Sequence, residues 1–398
     1  MLESIPLFFA LATSTCSGVL TGADRLYENP YRQWLEGKNV GLITNHTGVN
    51  CQLKPTATLI EALPGTKLIA LFSPEHGIDG SSQSGKPVSS QGITHSLYGA
   101  IQAPTPEMLN RIEVLVFDIQ DVGARFYTYI STLLKSMQAA AKKGIPFIVL
   151  DRPNPITGKH VEGPVLEEKF KSFVGSFKIP IRYGLTSGEL ATLANFELKL
   201  QCQLKVVPMK GWKRNFWYDD THLNWIATSP NMPTLETATL YPGFCLIEGT
   251  NLSEGRGTTR PFELVGAPWI NNKKLVKVLN NLNLPGVIFR MQNFSPWFSK
   301  YKGETCHGIQ IHLIDRSTFR PIEVLLNFLS EVIRLHSDKF IFQPSFDLLI
   351  GNNWVQKKLK KGFSASKIRS EWQKDLQNFK SLRRQFFLYS DDDRKNQP

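Results

Sequence analysis

The sequence predicts an α/β protein with a Rossmann-like, doubly wound and mainly parallel sheet, followed by a smaller α+β unit. Between residues 39 and 152 one theme repeats: a short apolar run, a polar cluster and a helical stretch. Continuous apolar runs are typical of strands buried on both faces by helices. With 398 residues, 41% of them hydrophobic, the chain is also too long for one average domain. The predicted strands are residues 40–44, 68–72, 114–119 and 147–150.

Two helices and a fifth strand continue this pattern. A helix predicted over 126–143 ends in a lysine pair followed by a glycine, which is a common C-terminal stop. A second helix, over 186–200, opens with Thr186 and Glu189 at capping-box spacing. Residues 204–207 predict the next strand. This alternation of strands and helices favours a doubly wound arrangement.

The chain changes character after residue 207. Residues 208–270 are rich in Pro, Gly and Asn and predict a long loop, which in a compact domain is usually functional. We expect three divisions: 1–17 as a signal or N-terminal extension, 18–270 as the Rossmann-like catalytic domain and 271–398 as the C-terminal α+β domain. The elements predicted after residue 271 are helices over 272–281, 320–336, 352–361 and 366–388 and strands over 286–291 and 307–314.

The last predicted helix carries an apolar stripe that predicts a core-facing side. The stripe consists of Ile368, Trp372, Leu376, Phe379 and Phe386. Residues 351–398 also hold 12 basic and 5 acidic side chains, and so carry +7 of the net charge of +12. A local excess of this kind indicates a basic helical face, and we predict no nucleic-acid partner.

The N-terminus predicts export. Residues 5–12 form an apolar run followed by small residues up to Cys16, which resembles a signal peptide although Glu3 stands where a lysine is expected. We therefore expect an exported, periplasmic or envelope-associated protein, with a buried N-terminal segment in a cytoplasmic protein as the alternative. Cys16 suggests a lipoprotein, but the residues before it lack the usual leucine. We predict no transmembrane segment beyond this run.

Each predicted strand runs into polar residues that are capable of chemistry. Ligands of open α/β sheets bind outside the carboxyl ends of the strands, so these residues predict a site at that edge. Each of them alone could instead be a helix cap or half of an ion pair. The residues are Asn45 and His46 after the first strand, Glu75 and His76 after the second, Asp118, Gln120, Asp121, Arg125 and Tyr127 around the third, and Asp151, Arg152 and Asn154 after the fourth.

Two glutamates are the sharpest catalytic candidates. Glu75 lies in SPEHG, where a proline and a glycine fix the turn, and Glu162 lies beside a Gly-Pro pair shortly after the fourth strand. Two fixed carboxylates on one cleft suit glycoside hydrolysis, in which one protonates the leaving oxygen and the other attacks the anomeric carbon or activates water. Glu248 and Glu254, in the long loop, compete for the second role.

Other familiar motifs are weak. Residues 80–86 fit GxxxxGK, but Pro87 stands where a phosphate-binding loop needs Ser or Thr. The sequence has neither a GxSxG elbow nor a GxGxxG fingerprint. His46, His76 and His160 lack the spacing of metal ligands, and the five cysteines form no CxxC pair. We predict no metal and no cofactor. The sequence is compatible with a single disulfide and does not decide whether one forms.

Seven long motifs follow one another along the chain: GLITNHTG (41–48), SPEHG (73–77), VFDIQDVGARFYTYI (116–130), LDRPNPITG (150–158), VEGP (161–164), SPNMPT (229–234) and EGTNLSEGRGTTRPFE (248–263). Together they resemble the NamZ-type exo-β-N-acetylmuramidases of peptidoglycan turnover. The resemblance runs from about residue 19 to the C-terminus and is strongest between 41 and 270. Motifs of this length in this order are highly specific.

The resemblance implies an exo-acting glycoside hydrolase that removes β-linked N-acetylmuramic acid from the non-reducing ends of peptidoglycan fragments, in a cleft between two domains. It makes Glu75 the leading catalytic residue, whereas the pairing with Glu162 is our own hypothesis. The lactyl carboxylate of N-acetylmuramic acid predicts an arginine in the cleft, either Arg256 or Arg125. Asn231 and Glu248 complete the expected substrate contacts. The alternative is a non-catalytic envelope protein that binds muropeptides on the same fold.

Overall fold

The computed structural model of the chain describes residues 16–83, 85–86 and 92–390, and a parallel sheet lies at its centre. The five runs that the sequence predicts as strands before residue 208 belong to this sheet. The strands of the described residues are β1 (Asn39–Thr44), β2 (Lys67–Ser73), β3 (Thr94–Ser96), β4 (Val114–Asp118), β5 (Phe147–Leu150), β6 (Glu162–Val165), β7 (Pro180–Arg182), β8 (Leu204–Val207), β9 (Leu264–Ala267), β10 (Val287–Phe294) and β11 (Cys306–Leu313).

The six-stranded sheet has the order β3-β2-β1-β4-β5-β8, and all its neighbouring strands are parallel. Because β1 lies between β2 and β4, the order reverses there, and the crevice for a ligand opens outside the carboxyl ends of these strands. The predicted doubly wound α/β class is confirmed. A two-stranded antiparallel ribbon of β6 and β7 and a three-stranded antiparallel sheet of β10, β11 and β9 complete the pairing.

The helices of the described residues begin and end close to the predicted positions in the first half of the chain. Gly144 ends the second helix with φ 73°, the left-handed conformation that glycine adopts without strain. Thr186 and Glu189 form the predicted capping box at the third. The helices are α1 (Thr56–Glu61), α2 (Tyr129–Lys143), α3 (Ser187–Glu197), α4 (Leu235–Phe244), α5 (Asn272–Asn281), α6 (Pro321–Leu335), α7 (Ser345–Ile350), α8 (Trp354–Lys360), α9 (Ala365–Glu371) and α10 (Gln373–Arg383).

The region 208–270, predicted as loop, contains both α4 and β9. The prediction was wrong here because α4 is buried on nearly all sides and includes Pro242, so it lacks the one-sided apolar period that identifies a surface helix. Gly243 lets α4 approach α6 closely, since a Cβ at this position would lie 2.2 Å from the carbonyl oxygen of Pro321. The C-terminal sheet therefore begins with β9, before residue 271, and one apolar core continues across that predicted boundary.

The helix predicted over 366–388 is divided into α9 and α10, with Trp372 between them. The apolar stripe predicted there is confirmed for Ile368, Trp372, Leu376 and Phe379, which are at most 5% exposed. No helix of the described residues is long and apolar enough to cross a membrane. Outside the regular elements, a disulfide joins Cys16 to Cys51 and fastens the start of the described chain to the loop after β1.

Candidate active site

A pocket of about 350 Å³ lies beyond the carboxyl ends of β2 and β4. One part of its wall comes from the segments that follow these strands, and the other part comes from α4 and the long loop after it. A concave site of this size, with a few polar groups converging among aromatic rings, is typical of small-ligand binding. Its polar lining includes Glu75, His76, Tyr127, Thr128, Glu248 and Arg256.

Glu75 is a carboxylate held on both oxygens in this wall. Its Oε1 accepts the backbone N–H of Gly85 at 3.0 Å, and its Oε2 accepts the hydroxyl of Thr128 at 2.6 Å. The phenol of Tyr98 also hydrogen-bonds to Glu75, and burial together with this negative charge raises the pKa of Tyr98. Only 6% of Glu75 is exposed, so its carboxylate is fixed and largely removed from water.

His76 places a neutral imidazole beside that carboxylate. Its Nδ1 lies 2.6 Å from the carbonyl oxygen of Ser82. Because a carbonyl oxygen only accepts, Nδ1 carries the proton and Nε2 of the neutral ring keeps its lone pair. Burial lowers the pKa of His76, although the charge of Glu75 opposes this shift. The backbone of His76 is left-handed, with φ 76°, because the SPEHG turn reverses the chain at this residue.

Tyr127 forms a further part of the wall, and the ring of Tyr129 packs against it with the centroids 4.8 Å apart. The hydroxyl of Tyr127 lies 2.6 Å from Oγ1 of Thr228, and the hydroxyl of Tyr129 donates to the carbonyl oxygen of Thr228 at 2.6 Å. Asn45 donates to the Tyr129 hydroxyl at 3.1 Å. Tyr127 lies in the pocket as predicted, whereas Asn45 supports the wall from behind.

Arg256 and Glu248 face the same pocket as an ion pair. Nε and Nη2 of Arg256 donate to Oε1 of Glu248 at 3.2 and 2.7 Å, and Glu254 lies 3.6 Å from Nε. Burial opposes the charge of Arg256, yet these two carboxylates raise its pKa, so the guanidinium stays cationic. The hydrogen bonds to Glu248 use Nε and Nη2 and leave Nη1 outside the pair.

Lys300 stabilises the short turn that carries Glu248 by binding its backbone carbonyl groups. The turn, Cys245–Gly249, ends in backbone carbonyl groups that need donors. A cation at this carbonyl end is favourable for the same reason as at a helix C-terminus. Nζ of Lys300 donates to the carbonyl oxygens of Ile247, Glu248 and Leu252 at 3.1, 3.1 and 2.9 Å, and lies 3.2 Å from Glu254.

Glu162 lies outside the pocket, in contrast to the predicted pairing with Glu75. Its Oε1 accepts the backbone N–H groups of Ile322 and Glu323 at 3.0 and 3.1 Å, at the first turn of α6. An anion at a helix N-terminus stabilises the helix. Among the described residues that line the pocket, the carboxylates are Glu75 and Glu248.

Arg125 is likewise turned away from the pocket. It is 1% exposed and donates to the carbonyl oxygens of Pro164, Ile179 and Leu349 at 2.9, 3.0 and 2.8 Å. Burial lowers the pKa of Arg125 to about 9. All three acceptors belong to the backbone, and one of them lies in α7, so Arg125 connects α7 to the segments around β6 and β7. Of the two predicted arginines, Arg256 is the one that lines the pocket.

Asp118 and Arg152 form a buried ion pair under the sheet edge. Nε of Arg152 lies 2.5 Å from Oδ1 of Asp118, and Nη2 lies 2.8 Å from Oδ2. Thr56 donates to the same carboxylate, and Arg152 also donates to the carbonyl oxygen of Val49. This buried pair holds the loop after β1 against β4. The two charges neutralise each other.

Four other residues that the sequence predicts as substrate contacts or strand-end polar groups form hydrogen bonds to backbone or hydroxyl groups of the protein. Burial raises the pKa of Asp121 and of Asp151 to about 6 each. Both residues follow strands, as predicted, but their side chains bind groups inside the protein and do not line the pocket. The bonds run from Gly188 N and the Tyr389 hydroxyl to Asp151 at 2.7 and 2.5 Å, from Gly123 N to Asp121 at 2.7 Å, from Asn154 Nδ2 to Leu185 O at 2.9 Å and from Gln120 Nε2 to Pro153 O at 2.8 Å.

His46 and Asn231 fix the loops around the pocket. Nε2 of His46 lies 2.6 Å from the carbonyl oxygen of Ala227. Gly80 covers the imidazole so closely that a Cβ there would lie 2.0 Å from it. Asn231 donates to Oε1 of Gln83 at 3.2 Å, which connects SPNMPT to the loop that follows SPEHG. Both residues position the pocket's loops.

Sequence reasoning missed Tyr98, Thr128, Tyr241 and Cys245 in the pocket wall. Tyr98 follows β3, a three-residue strand too short to give an apolar run. Tyr241 and Cys245 belong to α4 and the turn after it, which were assigned to a loop. Thr128 could have been found, because it is the hydroxyl residue next to Tyr127 in the same motif.

A group of side chains close enough to hold a metal occurs elsewhere in the described residues. It consists of Cys16, Asp24 and Cys51. The two sulfurs are joined in the disulfide, and Oδ1 of Asp24 accepts the backbone N–H of Cys51 at 2.8 Å. Sulfurs bonded in this way are not the thiolates that bind metals.

Glu162 predicts a measurable pH dependence of stability. Burial raises its pKa from 4.5 to about 7. The folded state therefore binds more protons than the unfolded state between these values, and the free energy of unfolding falls as pH rises from about 4.5 to 7. We expect Glu162→Gln, which keeps the acceptor for the N–H groups of α6, to reduce the total fall in the free energy of unfolding over this pH interval by up to about 3 kcal/mol. Asp121 and Asp151 also have raised pKa values and contribute slopes of the same sign. Part of the pH dependence of stability should therefore remain in Glu162→Gln.

Urea unfolding at several pH values measures this slope. An unchanged slope in Glu162→Gln would contradict the assignment.

Comparison with known proteins supports a single family. Residues 40–236 match the family model for the N-terminal domain of exo-β-N-acetylmuramidase NamZ, and residues 239–389 match the model for its C-terminal domain. The chain is 48% identical over 379 residues to the peptidoglycan β-N-acetylmuramidase NamZ of Bacillus subtilis (strain 168), covering 93% of this chain and 91% of that protein.

Two solved structures from Bacteroides fragilis NCTC 9343, both described as DUF1343 family proteins, have the same fold. One superposes with a TM-score of 0.87 at 42% identity and covers 94% of this chain and 99% of its own. The other has a TM-score of 0.76 at 33% identity and covers 94% of this chain and 100% of its own. With both halves of the chain matched and these relatives covering nearly its full length, the chain belongs to the NamZ family of exo-β-N-acetylmuramidases.

Proposed function

We propose that this protein hydrolyses the β-glycosidic bond of a terminal N-acetylmuramic acid residue at the non-reducing end of peptidoglycan fragments. The observation that carries the proposal is a buried glutamate, Glu75, in a pocket that also holds the Glu248–Arg256 pair. Membership of the family supplies the class of substrate. The lining residues come from both matched halves of the chain, which supports a cleft between two domains.

Glu75 and Glu248 are the proposed catalytic carboxylates. Glycoside hydrolysis needs one group that protonates the leaving oxygen and one that attacks the anomeric carbon or activates water. Both glutamates line the pocket, whereas Glu162 is bound to the first turn of α6. The backbone N–H of Gly85 and the hydroxyl of Thr128 fix the orientation of Glu75, and Lys300 fixes the turn of Glu248.

Arg256 is the proposed partner of the lactyl carboxylate that distinguishes N-acetylmuramic acid from N-acetylglucosamine. Arginine binds carboxylates through paired N–H donors, and the Arg256 side chain, which is 14% exposed, is largely shielded from competing water. Glu248 holds Nε and Nη2 on one side of the group, so the substrate would approach from the side of Nη1.

The activity is tested by incubating the purified protein with the disaccharide of N-acetylmuramic acid β-linked to N-acetylglucosamine. We expect both free sugars to appear, as measured by mass spectrometry. A protein that binds the disaccharide without releasing sugar would instead be a non-catalytic muropeptide-binding protein, the alternative function.

We also propose that the protein is exported. Disulfides persist in oxidising compartments, and the Cys16–Cys51 bond is consistent with one. The Sγ of Cys16 cannot hold both this disulfide and a lipid thioether, which argues against lipoprotein processing at that residue. Cell fractionation with non-reducing peptide mapping is expected to find the disulfide-bonded protein in the envelope fraction. A cytoplasmic protein with both thiols free would contradict the proposal.

A further inference from the structure

A second cleft opens beside the pocket and shares two of its wall residues. It measures about 670 Å³, and Glu248 and Arg256 line both spaces. Its remaining lining is Gln83, Lys86, Glu254, Phe298, Ser299 and Lys300. A molecule that filled the pocket and extended past Glu248 would therefore enter this outer cleft.

The two spaces differ in exposure. In the pocket wall Glu75 and Tyr127 are each 6% exposed. In the outer cleft Phe298 is 38% exposed, and the adjoining Trp297 is 85% exposed. An enzyme that removes a terminal sugar needs a closed end for that sugar and an open side for the rest of the chain, and the two spaces provide these in sequence.

The segment that carries Phe298 is held in a fixed shape. The backbone N–H of Trp297 donates to the carbonyl oxygen of Gly257 at 2.8 Å, and that of Gly303 donates to Pro296 at 2.8 Å. A Cβ at residue 257 would lie 2.5 Å from the carbonyl oxygen of Phe298, so only glycine permits this approach. A rigid aromatic surface next to Arg256 reduces the entropy lost on binding.

Two of the three cations that line the outer cleft, Arg256 and Lys300, are compensated by carboxylates and carbonyl oxygens, and the third, Lys86, is exposed. Lys300 is bound to three carbonyl oxygens and lies 3.2 Å from Glu254, and Arg256 is bound to Glu248. Apart from the exposed Lys86, the groups that remain for recognition are an aromatic ring and neutral polar groups such as those of Gln83 and Ser299. This combination suits an uncharged sugar better than an anionic peptide.

We propose that the outer cleft binds the uncharged sugar on the leaving side of the cleaved bond, with Phe298 as its aromatic contact and Trp297 at the rim. The inference rests on the proposed function, because it takes the pocket to hold the terminal N-acetylmuramic acid. It adds the residues that recognise the leaving group and thereby determine which fragments are good substrates.

The test measures affinities in a Glu75→Gln background, where hydrolysis does not interfere. Calorimetry gives the Kd of free N-acetylmuramic acid, which fills the pocket alone, and of its β-linked disaccharide with N-acetylglucosamine, which fills both spaces. Phe298→Ala should weaken disaccharide binding about tenfold, which corresponds to ~1.4 kcal/mol, and leave the monosaccharide Kd unchanged. Trp297→Ala should also weaken disaccharide binding selectively, but by a smaller factor. Phe298→Tyr should retain the affinity for the disaccharide.

Ile314→Ala is the matched control, because it removes a side chain that is 63% exposed and lies outside both linings. Equal loss for both ligands, or no loss in Phe298→Ala, would overturn the inference. A stronger effect of Phe298→Ala on a peptide-bearing N-acetylmuramic acid than on the disaccharide would also overturn it, because the cleft would then serve the peptide. If neither ligand binds the background protein, the proposed function itself has failed.

Discussion

Replacing Glu75 by Gln is expected to reduce the hydrolysis rate by roughly 10²–10⁴-fold or more while the protein stays folded. The amide keeps an acceptor for the backbone N–H of Gly85, and its NH₂ group can donate to the hydroxyl oxygen of Thr128, so the turn should persist. The amide can neither attack the anomeric carbon nor exchange a proton at the reaction centre. The measurement is release of free N-acetylmuramic acid under saturating substrate, together with the thermal unfolding midpoint.

Two further variants make this result specific. Glu162→Gln should remain active, because that carboxylate binds the first turn of α6. Glu248→Gln should lose activity to a similar degree as Glu75→Gln if the two act as a pair. Full activity in Glu75→Gln would remove Glu75 from the mechanism. Full activity in Glu248→Gln would move the second role to another group of the pocket, of which the neutral His76 is the nearest in chemistry.

Replacing Arg256 by Met should remove the preference for N-acetylmuramic acid over N-acetylglucosamine. A hydrogen bond to a charged group is worth about 1.5–3 kcal/mol, so the affinity for N-acetylmuramic acid should fall roughly 10- to 150-fold. N-acetylglucosamine lacks the lactyl carboxylate, and its affinity should change little. Calorimetry with both sugars in the Glu75→Gln background measures the ratio directly.

The ratio separates recognition from structural damage. Losing Arg256 leaves Glu248 and Glu254 without a cationic partner, and a purely structural effect would weaken both sugars equally. Arg260→Met is the matched control, because Arg260 lies in the same loop and pairs with Glu263 at 2.8 Å while remaining 54% exposed. A preference that survives in Arg256→Met would contradict the proposed contact.

The sequence by itself determined the parallel sheet and the identity of its edge. Strands buried on both faces must be continuously apolar, and that pattern is local, so the apolar runs of β1, β2, β4 and β5 could be located from it. The edge strand β8 could be located because it follows the predicted capped helix α3. Glu75 and Tyr127 could be placed in the pocket because the carboxyl ends of parallel strands meet at one edge. The family could be identified because its motifs are long and keep their order.

Only the tertiary structure decided which polar residues of that edge line the pocket. Asp118 and Asp151 stand at strand ends, and Arg125 lies in the segment between β4 and α2. Their partners, which are Arg152, the start of α3 and three carbonyl oxygens respectively, lie far away in sequence. The same holds for the pairing of carboxylates: Glu162 meets α6 some 160 residues later, and Glu248 reaches the pocket through the buried helix α4. Burial and partner choice depend on contacts between distant segments, and a local pattern carries no information about them.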